Sequence, residues 1–414
     1  MRHTADWNTM AASTVKNVEL GFVEKSPTLR LISQFFPSKV GGKPAWLDLK
    51  EIPQSKELNC PICRKTMAFL LQIYCPPGEE DELTPPNTRQ KCFHRSLYVF
   101  CCREASCHQT SNSEDHNIPF IILRCQLDRR NEFYSYEPPD EDNEVAESDI
   151  ISPKKFGVML CELCGCNAGN MKCGRCQRVT YCCKDHQVLD WKMGHKATCG
   201  KELGPNFEDI SAENKFLFPE FELVTEPESE ESVAEEEDES VQKGSSNEHL
   251  TLKQTGASLM KIADEFDRNH DMRRKDLDRM AREFDRNDDM SIKDLDSMAR
   301  KETEDDVQFR TFKERIAHNP DQVLRYEKGG VPLYVSACDQ PRVEDIMLCT
   351  CGAKRRFEFQ IMPQLLTHLD VDSLDASIDW GTLLIYTCSK SCTEGHPYHP
   401  EFLWKQDYHN SSIS

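Results

Sequence analysis

The sequence predicts an α+β, β-rich fold in which two homologous-looking halves pack as one domain, with a small finger and an acidic, disordered or helical linker inserted between them. Three observations carry that prediction. Twenty-one cysteines fall largely in tight pairs. An order of Cys pair, strand, strand, Cys pair occurs twice, at 60–107 and again at 349–392. The chain between carries long runs of acids, and 38% hydrophobic content with a mean hydropathy of −0.64 over 414 residues leaves material for one substantial core beside much solvated chain.

Residues 1–16 form a polar lead without periodicity, expected to be disordered. The alternating run VELGF (18–22) reads as the first strand of an N-terminal half spanning 17–137. Gly41-Gly42, ahead of Lys43-Pro44-Ala45-Trp46, marks a turn that needs permissive dihedrals, and residue types alone leave a plain surface loop as an equal reading. Cys60-x2-Cys63 then precedes a strand at 69–74, and the strand LYVF (97–100) runs into Cys101, Cys102 and Cys107. Three cysteines compete for two ligand places.

The C-terminal half, 305–410, repeats the plan and settles that competition. Cys349 and Cys351 precede the strand FEFQI (357–361), and LLIYTC (383–388) leads to Cys392. Nine positions separate Cys63 from Gln72, and nine separate Cys351 from Gln360. Aligning LYVFCC with LLIYTC puts Cys102 on Cys388 and Cys101 on Thr387. Strand ends can carry two knuckles to one zinc, so the expected sets are Cys60, Cys63, Cys102 and Cys107 in one half, and Cys349, Cys351, Cys388 and Cys392 in the other. A helical stretch at 363–369 fits between the strands, with His368 a partly exposed helix residue and His396 and His399 in a loop.

Zinc rather than disulfide is the reading for these pairs. No apolar run approaches the length of a membrane span, and the start MRHTADWNTMAAS has no apolar h-region, so the expectation is a soluble intracellular protein whose thiols bind metal. The formal net charge of −20 becomes more negative by about 1 for each zinc held by three thiolates. Nucleic acid and membrane are therefore poor partners, and a basic protein is a better one.

Between the halves lie an acidic linker (138–155), a finger (156–200), a short apolar connector (201–224), an acidic disordered linker (225–262) and a charged helical repeat (263–304). The stretch 137–149 has seven acids and no base, and 225–240 has nine acids and no base. Such runs repel themselves and stay extended. An 18-residue repeat, EFDRNHDMRRKDLDRMAR then EFDRNDDMSIKDLDSMAR, occupies 265–300. Its Asp-x-Asn-x-Asp starts suggest calcium, but Met272 and Met290 stand where the ion loop needs Gly, so a charged helix is expected. Val307, Phe309, Phe312 and Ile316 continue a helical spacing toward Asn319-Pro320.

The finger holds eight Cys and His residues in usable pairs: Cys161/Cys164, Cys173/Cys176, Cys182/His186 and His195/Cys199. About 40 residues bury too little apolar surface to fold unaided, so two zinc ions would supply the folding energy. With Tyr181-Cys182, Gln187-x3-Trp191 and His195-x3-Cys199, the stretch resembles the MYND finger. That resemblance implies interleaved ligands: Cys161, Cys164, Cys182 and His186 on one zinc, Cys173, Cys176, His195 and Cys199 on the other. It also implies Tyr181, Gln187 and Trp191 as protein-binding candidates for short proline-containing peptides. Two departures stand out, His186 in place of the usual Cys and one extra residue between Trp191 and His195.

VELGF, FPSKVGGKPAWL, FLLQIY, LYVFCCRE, NEFYSYEPP, FLFPEFE, CGAKRRFEFQIMPQLL, SIDWG and FLWKQD, together with the finger, resemble the programmed cell death protein 2 family over nearly the full length. The resemblance implies a cytoplasmic and nuclear chaperone or adaptor. Its client would be a newly made small-subunit ribosomal protein, ribosomal protein S2, delivered toward the 40S subunit. The alternative it implies is a nuclear adaptor that binds corepressor-type proteins through the finger in proliferation and apoptosis. No glycine-rich cofactor loop or catalytic block is visible and each zinc set has four protein ligands, so no enzyme activity is expected. The cysteines left over, Cys75, Cys92, Cys101, Cys125, Cys166, Cys183 and Cys338, read as small buried hydrophobes.

Overall fold

The computed structural model describes residues 18–78, 84, 86–109, 118–139, 149–201, 214–228, 303–371 and 377–408. The chain divides into two compact units, the first made of 1–228, 323–333 and 341–407, the second of 229–322, 334–340 and 408–414. The 18-residue repeat, half of the first acidic linker and most of the second lie outside the described residues.

The first unit is built on one sheet of eleven strands: β1 (Glu19–Glu24), β2 (Lys39–Val40), β3 (Ala68–Tyr74), β4 (His94–Cys101), β5 (Phe120–Leu127), β8 (Phe221–Pro227), β9 (Leu324–Tyr326), β10 (Arg355–Ile361), β11 (Thr382–Cys388), β12 (Tyr398–Pro400) and β13 (Phe402–Gln406). Their spatial order is β12-β5-β4-β3-β2-β8-β1-β9-β10-β11-β13. The two edge strands, β12 and β13, are joined by the single residue Glu401, whose N–H donates to the Ile122 carbonyl at 3.0 Å. The sheet thus curls until its edges nearly meet, which removes most of its exposed edge.

The two halves enter this sheet as matching runs, β5-β4-β3-β2 and β9-β10-β11-β13, on either side of the β8-β1 pair. Their registers agree. Gln72 pairs with Tyr98 and Gln360 with Leu384, and each of β3 and β10 shifts register at one point, between Phe69 and Leu71 and between Phe357 and Phe359. These β-bulges put Leu70 and Glu358 at equivalent positions. The glutamines also do the same work. Gln72 accepts from the Ala45 N–H at 2.9 Å, and Gln360 accepts from the Leu333 N–H at 2.7 Å. The residues they hold follow Gly41-Gly42-Lys43-Pro44 and Gly329-Gly330-Val331-Pro332, 288 positions apart like the glutamines themselves.

Alternate residues of β4 face two different cores. Leu97, Val99 and Cys101 join the cluster that includes Phe359, Ile361, Leu383, Ile385 and Leu403 of the other half. Tyr98, Phe100 and Cys102 join a cluster with Trp46, Leu47, Leu49 and the finger. All eight residues of β4 are buried, so the strand lacks the polar alternation of a one-faced strand. The loop at 43–49 is core, not surface. Trp46 packs against Tyr98, Phe100 and, edge-on, Tyr398, and the Tyr98, Tyr134 and Tyr398 hydroxyls donate to the carbonyls of Ala45, Leu47 and Asp48. Gly41, at φ 64, lets this loop pass: a Cβ there would sit 1.9 Å from the Pro219 carbonyl oxygen.

Two readings of the sequence change here. The end of the apolar connector and the first residues of the acidic linker form β8, paired with β1 from Glu222 to Pro227 and with β2 at Phe221 and Glu222, and Glu228 holds Arg325 at 2.9 Å. The signal was present in Phe221, Leu223 and Val224, but the acids beside them masked it. His399 is not in a loop; it lies in β12, buried, with burial pushing its pKa down to about 4.

In the second unit, the helix Glu304–Ala317 opens with a capping box between Thr303 and Asp306. Phe309, Phe312 and Ile316 are buried on it, whereas Val307 is 41% exposed and lies off that stripe. Asp305 accepts hydrogen bonds from the Ser336 hydroxyl and the Ala337 N–H.

Candidate metal centres

Four groups of Cys and His side chains converge, each with all four ligand atoms within 4.8 Å of one another. They are Cys60, Cys63, Cys102 and Cys107; Cys161, Cys164, Cys182 and His186; Cys173, Cys176, His195 and Cys199; and Cys349, Cys351, Cys388 and Cys392. The structure brings together every ligand set expected from the sequence.

In the N-terminal half, Cys60 and Cys63 sit on a knuckle closed by the Cys60 N–H to Lys65 carbonyl bond at 2.8 Å, and Cys63 lies 3.5 Å from Cys102. Cys102 and Cys101 are neighbours on opposite faces of one strand, so only Cys102 can turn to the site; Cys101 is buried in the other core. In the C-terminal half, Cys349 lies 3.5 Å from Cys392, and Cys351 lies 3.6 Å from Cys388.

Each of these sites is gripped by the opposite half. Arg124 of β5 is fully buried; it donates to the Cys392 carbonyl at 3.0 Å and approaches the Cys392 sulfur at 3.6 Å. Lys405 of β13 donates to the His108 carbonyl at 3.2 Å, beside Cys107. Leu97 pairs with Arg124 and Leu383 with Lys405, so these two cations hold equivalent positions in the two halves. Arg124 also pairs with Glu401, which Arg355 meets at 2.9 Å. A further buried pair, Arg95 and Glu358, joins β4 to β10 and takes hydrogen bonds from the hydroxyls of Tyr326 and Thr387. Burial raises the Glu358 carboxyl, but Arg95 beside it outweighs burial and brings it to about 2.

The finger is framed by a hairpin of β6 (Met171–Lys172) and β7 (Thr180–Tyr181) and a helix at Lys184–Asp190. In one site, Cys164 lies 3.7 Å from Cys182, and His186 presents Nδ1 at 3.1 Å from Cys182 and 3.7 Å from Cys161. In the other, Cys173 lies 3.8 Å from Cys199, and His195 presents Nε2 at 3.4 Å from Cys173 and 3.6 Å from Cys176. The extra residue before His195 is absorbed in a wide turn, Trp191–His195, kinked at Gly194. Cys183 uses its sulfur to cap the helix by accepting from the His186 N–H at 3.4 Å.

These donors suit zinc. Tetrahedral zinc–thiolate bonds place ligand sulfurs about 3.8 Å apart, close to the spacings here, and none of the cysteines is in a disulfide. When bound, the metal would cross-link strand ends in the body and fold the finger.

The finger is not a loose appendage. Leu163, Cys166, Ala168 and Tyr181 share a core with Trp46, Leu47 and Leu49 of the N-terminal half. The Trp46 indole donates to the Gly165 carbonyl at 2.7 Å, and the Asn167 N–H donates to the Pro53 carbonyl at 3.1 Å. One predicted contact residue is excluded: Tyr181 is 0% exposed, with its hydroxyl bound to Asp190. Gln187 and Trp191 do reach a surface, lining a groove of about 320 Å³ with Arg175, Val188, Lys192 and His195.

The N-terminal domain model of programmed cell death protein 2 matches residues 17–141, its C-terminal putative domain model matches 306–407, and the MYND finger model matches 161–199. Programmed cell death protein 2 of Bos taurus is 42% identical over 403 residues, covering 96% of this chain and 98% of its own. Programmed cell death protein 2-like of Mus musculus is 26% identical, covering 87% of this chain and 86% of its own. Probable 20S rRNA accumulation protein 4 of Schizosaccharomyces pombe is 39% identical over 95 residues, 20% of this chain and 23% of its own. No solved structure matches. Identity extending through both sheet halves and the finger between them places this chain in the programmed cell death protein 2 family.

Proposed function

We propose that this chain is a zinc-dependent binding protein, without turnover, that takes up a newly made basic protein of the small ribosomal subunit, ribosomal protein S2, and supports 40S biogenesis in cytoplasm and nucleus. The observation that carries the ribosomal reading is the likeness to a protein named for 20S rRNA accumulation. The net charge of −20 supports a cationic client, since an acidic carrier speeds capture and keeps the client from RNA until delivery. In this proposal all four Cys/His sets hold zinc, each with four protein ligands and no open position for water, which supports binding rather than catalysis.

Capture of the full chain's partners at low and moderate salt, read by mass spectrometry, tests the client. A small-subunit ribosomal protein whose recovery falls as salt rises is expected; finding none at either salt overturns the reading. Elemental analysis of the purified chain should give four zinc ions per molecule. Two would confine metal to the finger.

The groove beside Gln187 and Trp191 favours a second reading, in which the finger docks a short peptide of a nuclear corepressor-type protein. Gln187→Ala and Trp191→Ala should each abolish such binding while leaving zinc content unchanged. Loss of zinc instead would mean that Trp191 only packs the finger.

A further inference from the structure

One sulfur beside the first finger site is used by none of the ligand sets above. Cys166 is 1% exposed, and its Sγ lies 3.2 Å from the Sγ of Cys164. It is closer to Cys164 than the ligand sulfur of Cys182 is, the Cys164 to Cys182 separation being 3.7 Å. This places a buried thiol beside the ligand edge of the group formed by Cys161, Cys164, Cys182 and His186.

Chain geometry allows the role. Cys161 and Cys164 are separated by two residues, Cys161 and Cys166 by four, and zinc knuckles use spacings of about two to four. Gly165, between the two thiols, has φ +74, and a Cβ there would lie 2.9 Å from the Cβ of Lys43, so the turn is held close to the body. The Trp46 indole fixes its carbonyl at 2.7 Å, and the Cys166 carbonyl accepts from the Cys161 N–H at 2.8 Å. These bonds hold the backbone on both sides of the pair.

We propose that Cys166 is a reserve zinc ligand, interchangeable with Cys164. With Cys164 bound to the metal, the Cys166 thiol donates its proton to the Cys164 thiolate. In the exchange the bond from zinc to the Cys164 sulfur breaks, the bond to the Cys166 sulfur forms, and the proton passes along the S–H···S contact to Cys164. Thiol and thiolate counts are unchanged, so the charge of the site is too. The finger therefore keeps its metal when Cys164 is blocked by an alkylating electrophile.

The test uses the full chain purified with zinc. Cys164→Ser and Cys166→Ser should each retain the zinc-to-protein ratio of the unsubstituted chain. Cys164→Ser/Cys166→Ser, and Cys182→Ser as a control with no reserve, should each lose one equivalent. With cobalt in place of zinc, the sulfur-to-metal charge-transfer absorption of Cys164→Ser should match that of the unsubstituted chain. Loss of one equivalent by Cys164→Ser alone overturns the proposal. Should that variant not fold, native alkylation of the unsubstituted chain decides: modification of Cys164 with zinc retained supports it, and obligatory release of one zinc on modification of Cys164 refutes it.

Discussion

The two halves of the sheet share one plan and differ in what they do with it. Both place a bulge before the clamp glutamine, both hold a Gly-Gly-x-Pro loop with it, and both send a buried cation to the opposite four-cysteine group. They part at the bulge itself. In the N-terminal half that position is Leu70, part of the shared core, whereas in the C-terminal half it is Glu358, paired with Arg95 across the halves. They also part in cover. The N-terminal outer face is closed by Trp46 and the finger, and three of its four ligand cysteines are buried; in the C-terminal site Cys351 is exposed. Equal backbone geometry thus supports two jobs, one half carrying the finger and the other supplying the buried acids Glu358 and Glu401 that lock the sheet.

The sharpest way to break that lock is Glu358→Gln. It leaves Arg95 buried without its counter-charge, and urea unfolding should show a loss of about 3–5 kcal/mol. Arg95→Met with Glu358→Leu should recover most of it, because Leu already serves at the equivalent position in the other half. The same pair makes acid sensitivity one-sided. The folded carboxyl lies below the ordinary 4.5, at about 2, so its contribution is complete above pH 4.5 and is lost as pH falls toward 2. Unfolding in zinc buffer over that range should lose a step in Arg95→Met/Glu358→Leu; an unchanged acid profile would remove Glu358 from the account.

A smaller effect separates the two cross-site cations. Arg124→Met strips a fully buried guanidinium from Glu401 and Cys392, at a cost of about 2–4 kcal/mol, and should speed zinc release to a chelator from the C-terminal site. Lys405→Met removes a bond to the His108 carbonyl and a partly exposed pair with Asp407, at a cost of about 1–2 kcal/mol. Equal effects of the two would show that the halves use these positions alike. An effect of the same order as that of Lys405→Met is expected from Gln72→Leu or Gln360→Leu, each costing about 1–3 kcal/mol by leaving loop backbone groups unpaired. Matching losses would confirm that the two clamps are one device used twice.

The ligand groups were legible because zinc imposes short spacings on the chain itself. Choosing Cys102 over Cys101 needed only the internal alignment, and strand alternation explains why it works: adjacent residues face opposite sides. Strand β8 was not legible, since its acids resemble the linker that follows and its pairing partners β1 and β2 lie some 200 residues away. The loop at 43–49 was equally ambiguous, because nothing local tells a turn that three tyrosines bury from one left in water.

By itself, the sequence determined the four Cys/His groups, the β-rich duplicated plan and the family, all of which depend on short-range spacing or on residue identity. Only the tertiary structure decided that the two halves form a single nearly closed sheet, that Arg124 and Lys405 cross to each other's sites, that Tyr181 is enclosed, and that Cys166 sits against Cys164. Those facts depend on which residues meet across long stretches of chain. Meeting is governed by burial and closure of the whole sheet, which no local pattern encodes.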